Sequence, residues 1–165
     1  MAREKEPPAF SLRPGQPADD AACGRIIQTA TLAAPTAERL PHARHLFEDG
    51  SPLAPEGYAR IVTVDAADAV LGFADYDSDH AHLHYLFTAP EHQGLGVGGA
   101  LVDAVQGAVA APLTLTCFAV NDAALAWYLG HGFRITGGGF RELEGQDVVM
   151  IYLERGGPGG PAKGG

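Results

Sequence analysis

Basic residues are scarce in this 165-residue chain: 11 lysines and arginines stand against 20 aspartates and glutamates, for a formal net charge of −9 at pH 7. That balance disfavours a nucleic-acid partner, because neutralising a phosphate backbone takes a surface rich in lysine and arginine. It suits cationic ligands such as amines, which an acidic field concentrates. Cysteine is scarcer still. Cys23 and Cys117 match neither a metal-ligand spacing nor a disulfide framework, so free thiols and no metal are expected. Long apolar runs are missing too. No segment approaches the roughly 20 consecutive apolar residues of a membrane helix, and 1–8 is charged and proline-bearing, without the run of a signal peptide. A cytoplasmic protein with no membrane partner is the expectation.

The 46% hydrophobic and 19% charged content is that of a globular chain, and the length fits one domain. No internal repeat is evident. Residues 1–8 read as a flexible tail and 156–165, almost all glycine and proline, as a disordered one, which cannot bury enough apolar surface to offset ordering entropy. A single domain over 9–155 remains. It opens with a short strand, Phe10 to Arg13, and a helix from Pro17 to Leu32, with proline and two aspartates in its first turn. A second helix is expected from Thr36 to Phe47. Arg60 to Val64, Val70 to Tyr76 and His82 to Thr88 are β-rich stretches separated by short polar turns, an antiparallel meander.

The pattern then changes. Gly98 to Ala110 carries Leu101, Val102, Val105 and Val109 at helical spacing, and Pro112 precedes the strand Leu113 to Val120. A strand, helix, strand crossover makes the strands parallel, and ligands bind outside the carboxyl ends of such strands. A helix from Asp122 to Leu129, a strand near Phe133 to Thr136 and a last strand at Val148 to Leu153 complete an α/β fold with a mixed sheet. At the crossover lies Gln93-Gly94-Leu95-Gly96-Val97-Gly98-Gly99. Side chains this small let backbone N–H groups reach a phosphate, and the following helix start adds positive potential. Gly94, Gly96 and Gly99 also satisfy the dinucleotide-binding spacing, with Asp122 as a ribose-binding acid, which keeps a nicotinamide-dependent oxidoreductase as an alternative.

The segment from Leu86 through Phe87, Thr88 and Gln93 to Leu101 resembles the acetyl-coenzyme A signature of the GNAT superfamily of N-acetyltransferases, with Gln93, Gly96 and Gly98 at its core positions. Asn121, Ala124, Tyr128, Gly132 and Phe133 resemble the second signature of that family. The resemblance implies a mostly antiparallel sheet of six to seven strands with one parallel acetyl-CoA unit and helices on both faces. It further implies acetyl-CoA as cosubstrate, bound by Leu86, Phe87, Thr88, Gln93 to Gly99, Asn121 and Tyr128. The activity implied is direct acetyl transfer to an amine of a small molecule or peptide. Many relatives are dimers, so the resemblance leaves a homodimer open.

Seven residues is nearly two helical turns, which puts Asn121 and Tyr128 on one side. Asn121 has the chemistry of an N-cap, and the resemblance adds a hold on the pantetheine arm. A phenol with an ordinary pKa near ~10 stays protonated at neutral pH and can protonate the leaving thiolate, the role the family gives its tyrosine; Tyr128 is the expected general acid. Backbone amides of Phe87 or Thr88 are the oxyanion candidates. Relatives often carry a glutamate base where this chain has Thr116. His84 is the candidate for that role, with His82 on the same face. Asp75, Asp77 and Asp79 are candidates for attracting a cationic amine, and His42 and His45 for facing the acceptor. His131 reads as a polar helix end, and Cys117 as a packed residue rather than an acetyl carrier. A domain that binds acetyl-CoA without turnover is the second alternative, left open by the missing glutamate.

Overall fold

The computed structural model describes residues 9–33, 56–143 and 145–156. They form β1 (Ser11–Pro14), α1 (Asp20–Ala33), β2 (Ala59–Val64), β3 (Val70–Asp77), β4 (His82–Thr88), α2 (Val97–Ala108), β5 (Leu113–Phe118), α3 (Asp122–Gly130), β6 (Arg134–Leu143) and β7 (Gln146–Arg155). The strands make one seven-stranded sheet in the order β1-β2-β3-β4-β5-β7-β6. Every neighbouring pair is antiparallel except β4 and β5, which are joined through α2 and run parallel. A doubly wound dinucleotide fold would need a mostly parallel sheet, so the nicotinamide alternative falls here. The helix expected from Thr36 to Phe47 lies outside the described residues.

The two faces of the sheet are buried separately. Cys23, Ile26 and Ile27 of α1 pack on Val62, Val64 and Phe73. Leu101, Val102 and Val105 of α2 pack on the opposite face, against Ala74, Leu83, Leu113, Leu115 and Leu153. Each valine, leucine, isoleucine or phenylalanine among them contributes about 1.5–3 kcal/mol when fully buried. The first helix starts later than its sequence suggests: Pro17–Asp19 forms a single tight turn. There the buried Asp19 carboxylate accepts the Gln16 N–H at 2.7 Å and both terminal nitrogens of Arg13 at 2.8 and 2.9 Å.

The last hairpin departs most from expectation. The strand near Phe133 to Thr136 runs on through Gly137, Gly138 and Gly139 to Leu143. Composition alone argues against a strand there, but the ladder to β7 decides it. The Tyr152 ring lies across the strand so closely that a Cβ at Gly139 would sit 2.5 Å from its hydroxyl.

Arg60 joins three elements. Its Nε and Nη2 donate to the two carboxylate oxygens of Asp75 at 2.6 and 2.8 Å, and its Nη1 donates to Asp20 of α1 at 2.8 Å. The guanidinium also lies 5.0 Å from the Phe73 ring centroid. Asp75 is only 1% exposed, so this pair is buried and mutually compensated. Removing one partner of such a pair leaves an unpaired buried charge. Asp75→Ala is therefore expected to cost about 3–5 kcal/mol in chemical denaturation at neutral pH; a loss below about 1 kcal/mol would show that water reaches Arg60 there.

Candidate active site

Strands β4 and β5 meet at one registered position, His82 opposite Thr114. The Thr114 N–H donates to the Ala81 carbonyl at 2.9 Å, and Nδ1 of His82 lies 2.9 Å from the Thr114 hydroxyl. Beyond that root the strands have no further pairing, and β5 continues instead along β7 as far as Phe118. At the open end lies a cavity of about 670 Å³, bounded by the end of β4, the glycine loop, the start of α2, one side of α3, and Ala30 and Ala33 of α1.

The loop has the conformation its glycines allow. Gly94 and Gly96 adopt φ of +80° and +88°, which costs a residue with a Cβ about 1–2 kcal/mol. A Cβ at either would meet nothing within 4 Å. Packing does not demand these glycines; backbone conformation and free space beside the loop do. Gly96 is the N-cap of α2, so the first-turn N–H groups have no partner within the helix and the positive end of its dipole faces the loop. Gln93 ties the loop down by donating its side-chain amide to the Thr88 carbonyl at 3.3 Å.

Across the cavity, α3 is fixed at both ends. The Asn121 side chain accepts the Ala124 N–H at 3.2 Å, and its backbone carbonyl accepts that of Leu125 at 3.0 Å, an N-cap. At the other end Gly132 turns left-handed at φ +89°. The Phe133 N–H then reaches the Tyr128 carbonyl at 3.1 Å, and that of Gly132 reaches Leu129 at 3.4 Å. These are the two bonds of a Schellman motif, and its hydrophobic contact is Tyr128 against Phe133, 5.3 Å between ring centroids. Tyr128 is thus held by the turn that ends its own helix. Burial pushes its phenol pKa well above the ordinary value, with the nearby Cys117 adding in the same direction. Burial likewise pushes the Cys117 thiol up to about 11, so it stays protonated, as a packed residue should.

The cavity brings together Leu86, Thr88, Gln93, Gly94, Gly96, Val97, Gly98, Gly99 and Tyr128. Four expected residues stand apart from its lining. Leu95 is 63% exposed, the Phe87 ring stacks on Phe73 in the α1 face of the core, Asn121 caps its helix, and His84 lies elsewhere. A β-bulge explains His84. Asp75 pairs with Tyr85 and Tyr76 with Leu83, leaving His84 as an extra residue. Simple alternation would put His84 on the face of Leu86 and Thr88. The bulge shifts that phase, so Leu86 packs in the α2 face of the core, while His84 lies against Tyr58 and Tyr85, at 5.2 and 4.3 Å between centroids. Tyr85 belongs to the α1 face.

Other expectations resolve similarly. Asp75 is neutralised by Arg60, and Asp77 is engaged by His80 at 2.7 Å. The Ala89 N–H donates to Leu71 on β3. Antiparallel alternation then also turns the Phe87 N–H toward β3 and those of Leu86 and Thr88 toward the opening. His42 and His45 lie outside the described residues. Missed in the sequence were Trp127 and His131, which line the cavity. Trp127 fits because Gly98 has no side chain: a Cβ there would come within 2.9 Å of its ring. The seven-residue spacing from Asn121 that singles out Tyr128 gives no signal for its neighbours.

The acetyltransferase (GNAT) domain model matches residues 55–135, which hold both the glycine loop and α3. Comparison with curated proteins finds no match. Among solved structures, the apo form of YjaB from Escherichia coli is similar with a TM-score of 0.71 and 23% identity, over 90% of this chain and 99% of its own. A phosphinothricin acetyltransferase from Sinorhizobium meliloti in complex with acetyl-CoA has a TM-score of 0.64 at 19% identity, over 94% and 92%. The ribosomal-protein-S18-alanine N-acetyltransferase from Escherichia coli has 0.64 at 20%, over 92% and 97%.

Two glycines of one helix test the reading of the loop. Gly107→Ala, where a Cβ meets nothing and φ is ordinary, is expected to gain up to about 1 kcal/mol in thermal unfolding. Gly96→Ala should lose about 1–2 kcal/mol through its φ alone. Equal effects at the two positions would contradict the loop conformation.

Proposed function

We propose that the chain, whose residues 55–135 match the acetyltransferase (GNAT) domain model, is a member of that superfamily that takes acetyl-CoA as cosubstrate and transfers the acetyl group directly to an amine of a small molecule or peptide. One observation carries this reading: the glycine loop at the start of α2 and the phenol of Tyr128 on α3 line the same cavity at the mouth of the split sheet. A loop with room for a phosphate and the proposed proton donor border one space. The open side of Gly94 and Gly96 leaves room for a pyrophosphate against the loop.

In this account the amine attacks the thioester carbonyl. The oxyanion that develops is met by backbone N–H groups at the end of β4, Thr88 first, with Leu86 beside it. The thiolate leaves and takes the proton of Tyr128, whose raised pKa keeps it protonated at neutral pH. The attacking amine must shed a proton, and His84 is the proposed acceptor, through water because it stands outside the cavity lining. Its partial burial holds the imidazole below its usual pKa; Asp75 opposes that, while His82 and Arg141 reinforce it. A lowered pKa makes His84 neutral, and so competent as a base, at pH 7. As pH falls through that value it gains a proton and activity is lost. The two relatives whose acceptors are named act on phosphinothricin and on a ribosomal-protein alanine, so the fold accommodates both small and protein acceptors and does not choose between them.

Free-thiol release from acetyl-CoA against a panel of amines tests the roles. Tyr128→Phe is expected to lower kcat about 10²-fold or more, with acetyl-CoA binding changed little. Cys117→Ala should keep the wild-type rate. The kcat/KM profile should fall on the acid side, and His84→Ala should flatten that limb. Tyr128→Phe at full rate would remove the general acid from the account, and an unchanged acid limb in His84→Ala would remove the base.

A further inference from the structure

Acetyl-CoA carries a pyrophosphate and a phosphate monoester, yet among the described residues the cavity lining contains no lysine and no arginine. The only lysines of the chain are Lys5 and Lys163, far from the loop in sequence. Backbone amides supply hydrogen bonds to an anion but only partial charge. The basic side chains that do line the cavity are two histidines on either side of the loop: His92, in the turn before it, and His131, just past α3.

His131 is built into position. Its ring stacks on Trp127 with 3.7 Å between centroids and 19° between planes. Nδ1 lies 2.8 Å from the Trp127 carbonyl. A carbonyl only accepts, so Nδ1 carries the hydrogen and Nε2 is the atom that gains or loses a proton. Nε2 is directed at the first turn of α2, 3.4 Å from where a Cβ on Gly99 would stand. The titratable groups on the surrounding elements are Glu91 beside His92, Asp103 on α2, Asp122 at the start of α3, and Tyr128. Asp103 is engaged by Arg155 of β7 at 2.7 Å, and among the described residues no carboxylate belongs to the lining.

We propose that His131, with His92 opposite, supplies the side-chain cation of this phosphate cradle, so that acetyl-CoA binding is coupled to proton uptake at Nε2. One proton from solvent converts the imidazole to imidazolium, which donates to a phosphate oxygen; no covalent bond changes. This rests on the loop being the phosphate site of acetyl-CoA, and it makes cosubstrate affinity depend on pH where most phosphate sites rely on permanent charge.

Calorimetric titration of the full chain with acetyl-CoA tests this, at about pH 6 and about pH 8, a span that brackets the ordinary imidazole range, in buffers of different ionisation enthalpy. The monoester of the ligand itself gains a proton near pH ~6, which weakens binding at the acid end for every variant, so the readout is the difference between proteins. His131→Gln keeps a donor for the Trp127 carbonyl but cannot take up a proton. Wild type is expected to bind about tenfold tighter than His131→Gln at the acid end, the value of one charge-assisted hydrogen bond. The gap should shrink toward about pH 8, with more proton uptake in wild type than in His131→Gln. His92→Gln added to it should leave only the pH dependence of the ligand monoester, and S-acetylpantetheine, which has no phosphate, should bind both proteins alike. An equal pH profile in wild type and His131→Gln, or the same gap with S-acetylpantetheine, would overturn the proposal. No binding of acetyl-CoA at either pH would instead overturn the cosubstrate site on which it rests.

Discussion

The single pairing of β4 with β5 is the constraint from which the site follows. Parallel strands joined by a helix ordinarily pair along their length, but these two separate after His82 and Thr114. On one side β4 stays paired to β3 as far as Thr88, and on the other β5 is claimed by β7. The gap leaves amides at the end of β4 without a neighbouring strand, inside a sheet that is otherwise paired from β1 across to β6. It also sets the start of α2 and the side of α3 facing each other across one cavity, which neither helix could form alone. The two core clusters, one on each face, keep the sheet rigid around this opening.

Charge is managed differently in the frame and in the cavity. Arg13 and Arg60 are each spent on two carboxylates, Asp19 and Asp68 in one case and Asp75 and Asp20 in the other. These pairs fasten β1, β2 and β3 to the start of α1. The cavity lining, by contrast, offers an anion only helix polarity, backbone amides and histidine among the described residues. Positive potential arranged in this way is concentrated within a few residues of one helix terminus, where it acts at short range and is little screened.

What could be read in the sequence was local. The glycine loop between a strand and a helix, and the helix capped by Asn121 and ended before Gly132-Phe133, could be read there because each depends on residues adjacent in the chain. The mixed sheet, the parallel unit and the face packed by Leu101, Val102 and Val105 followed from periodicity. Three features depended on distant partners and were not legible. The bulge that moves His84 to the α1 face exists only in the pairing of β4 with β3. The strand through Gly137 to Gly139 is stabilised by β7 and covered by Tyr152, against its own propensity. The His131 ring is placed by Trp127 and Gly99, and nothing in its immediate sequence distinguishes it from an ordinary polar helix end.

The central claim is that this cavity passes an acetyl group from acetyl-CoA to an amine. Mass spectrometry of the purified protein incubated with acetyl-CoA and a mixture of amines, small molecules and peptides together, tests it most directly. The account predicts an acetylated amine formed in equal amount with free coenzyme A, dependent on Tyr128, with the protein itself left unmodified. Acetyl-CoA bound yet recovered intact in the presence of every amine, or an acetyl group found on the protein instead, would contradict it.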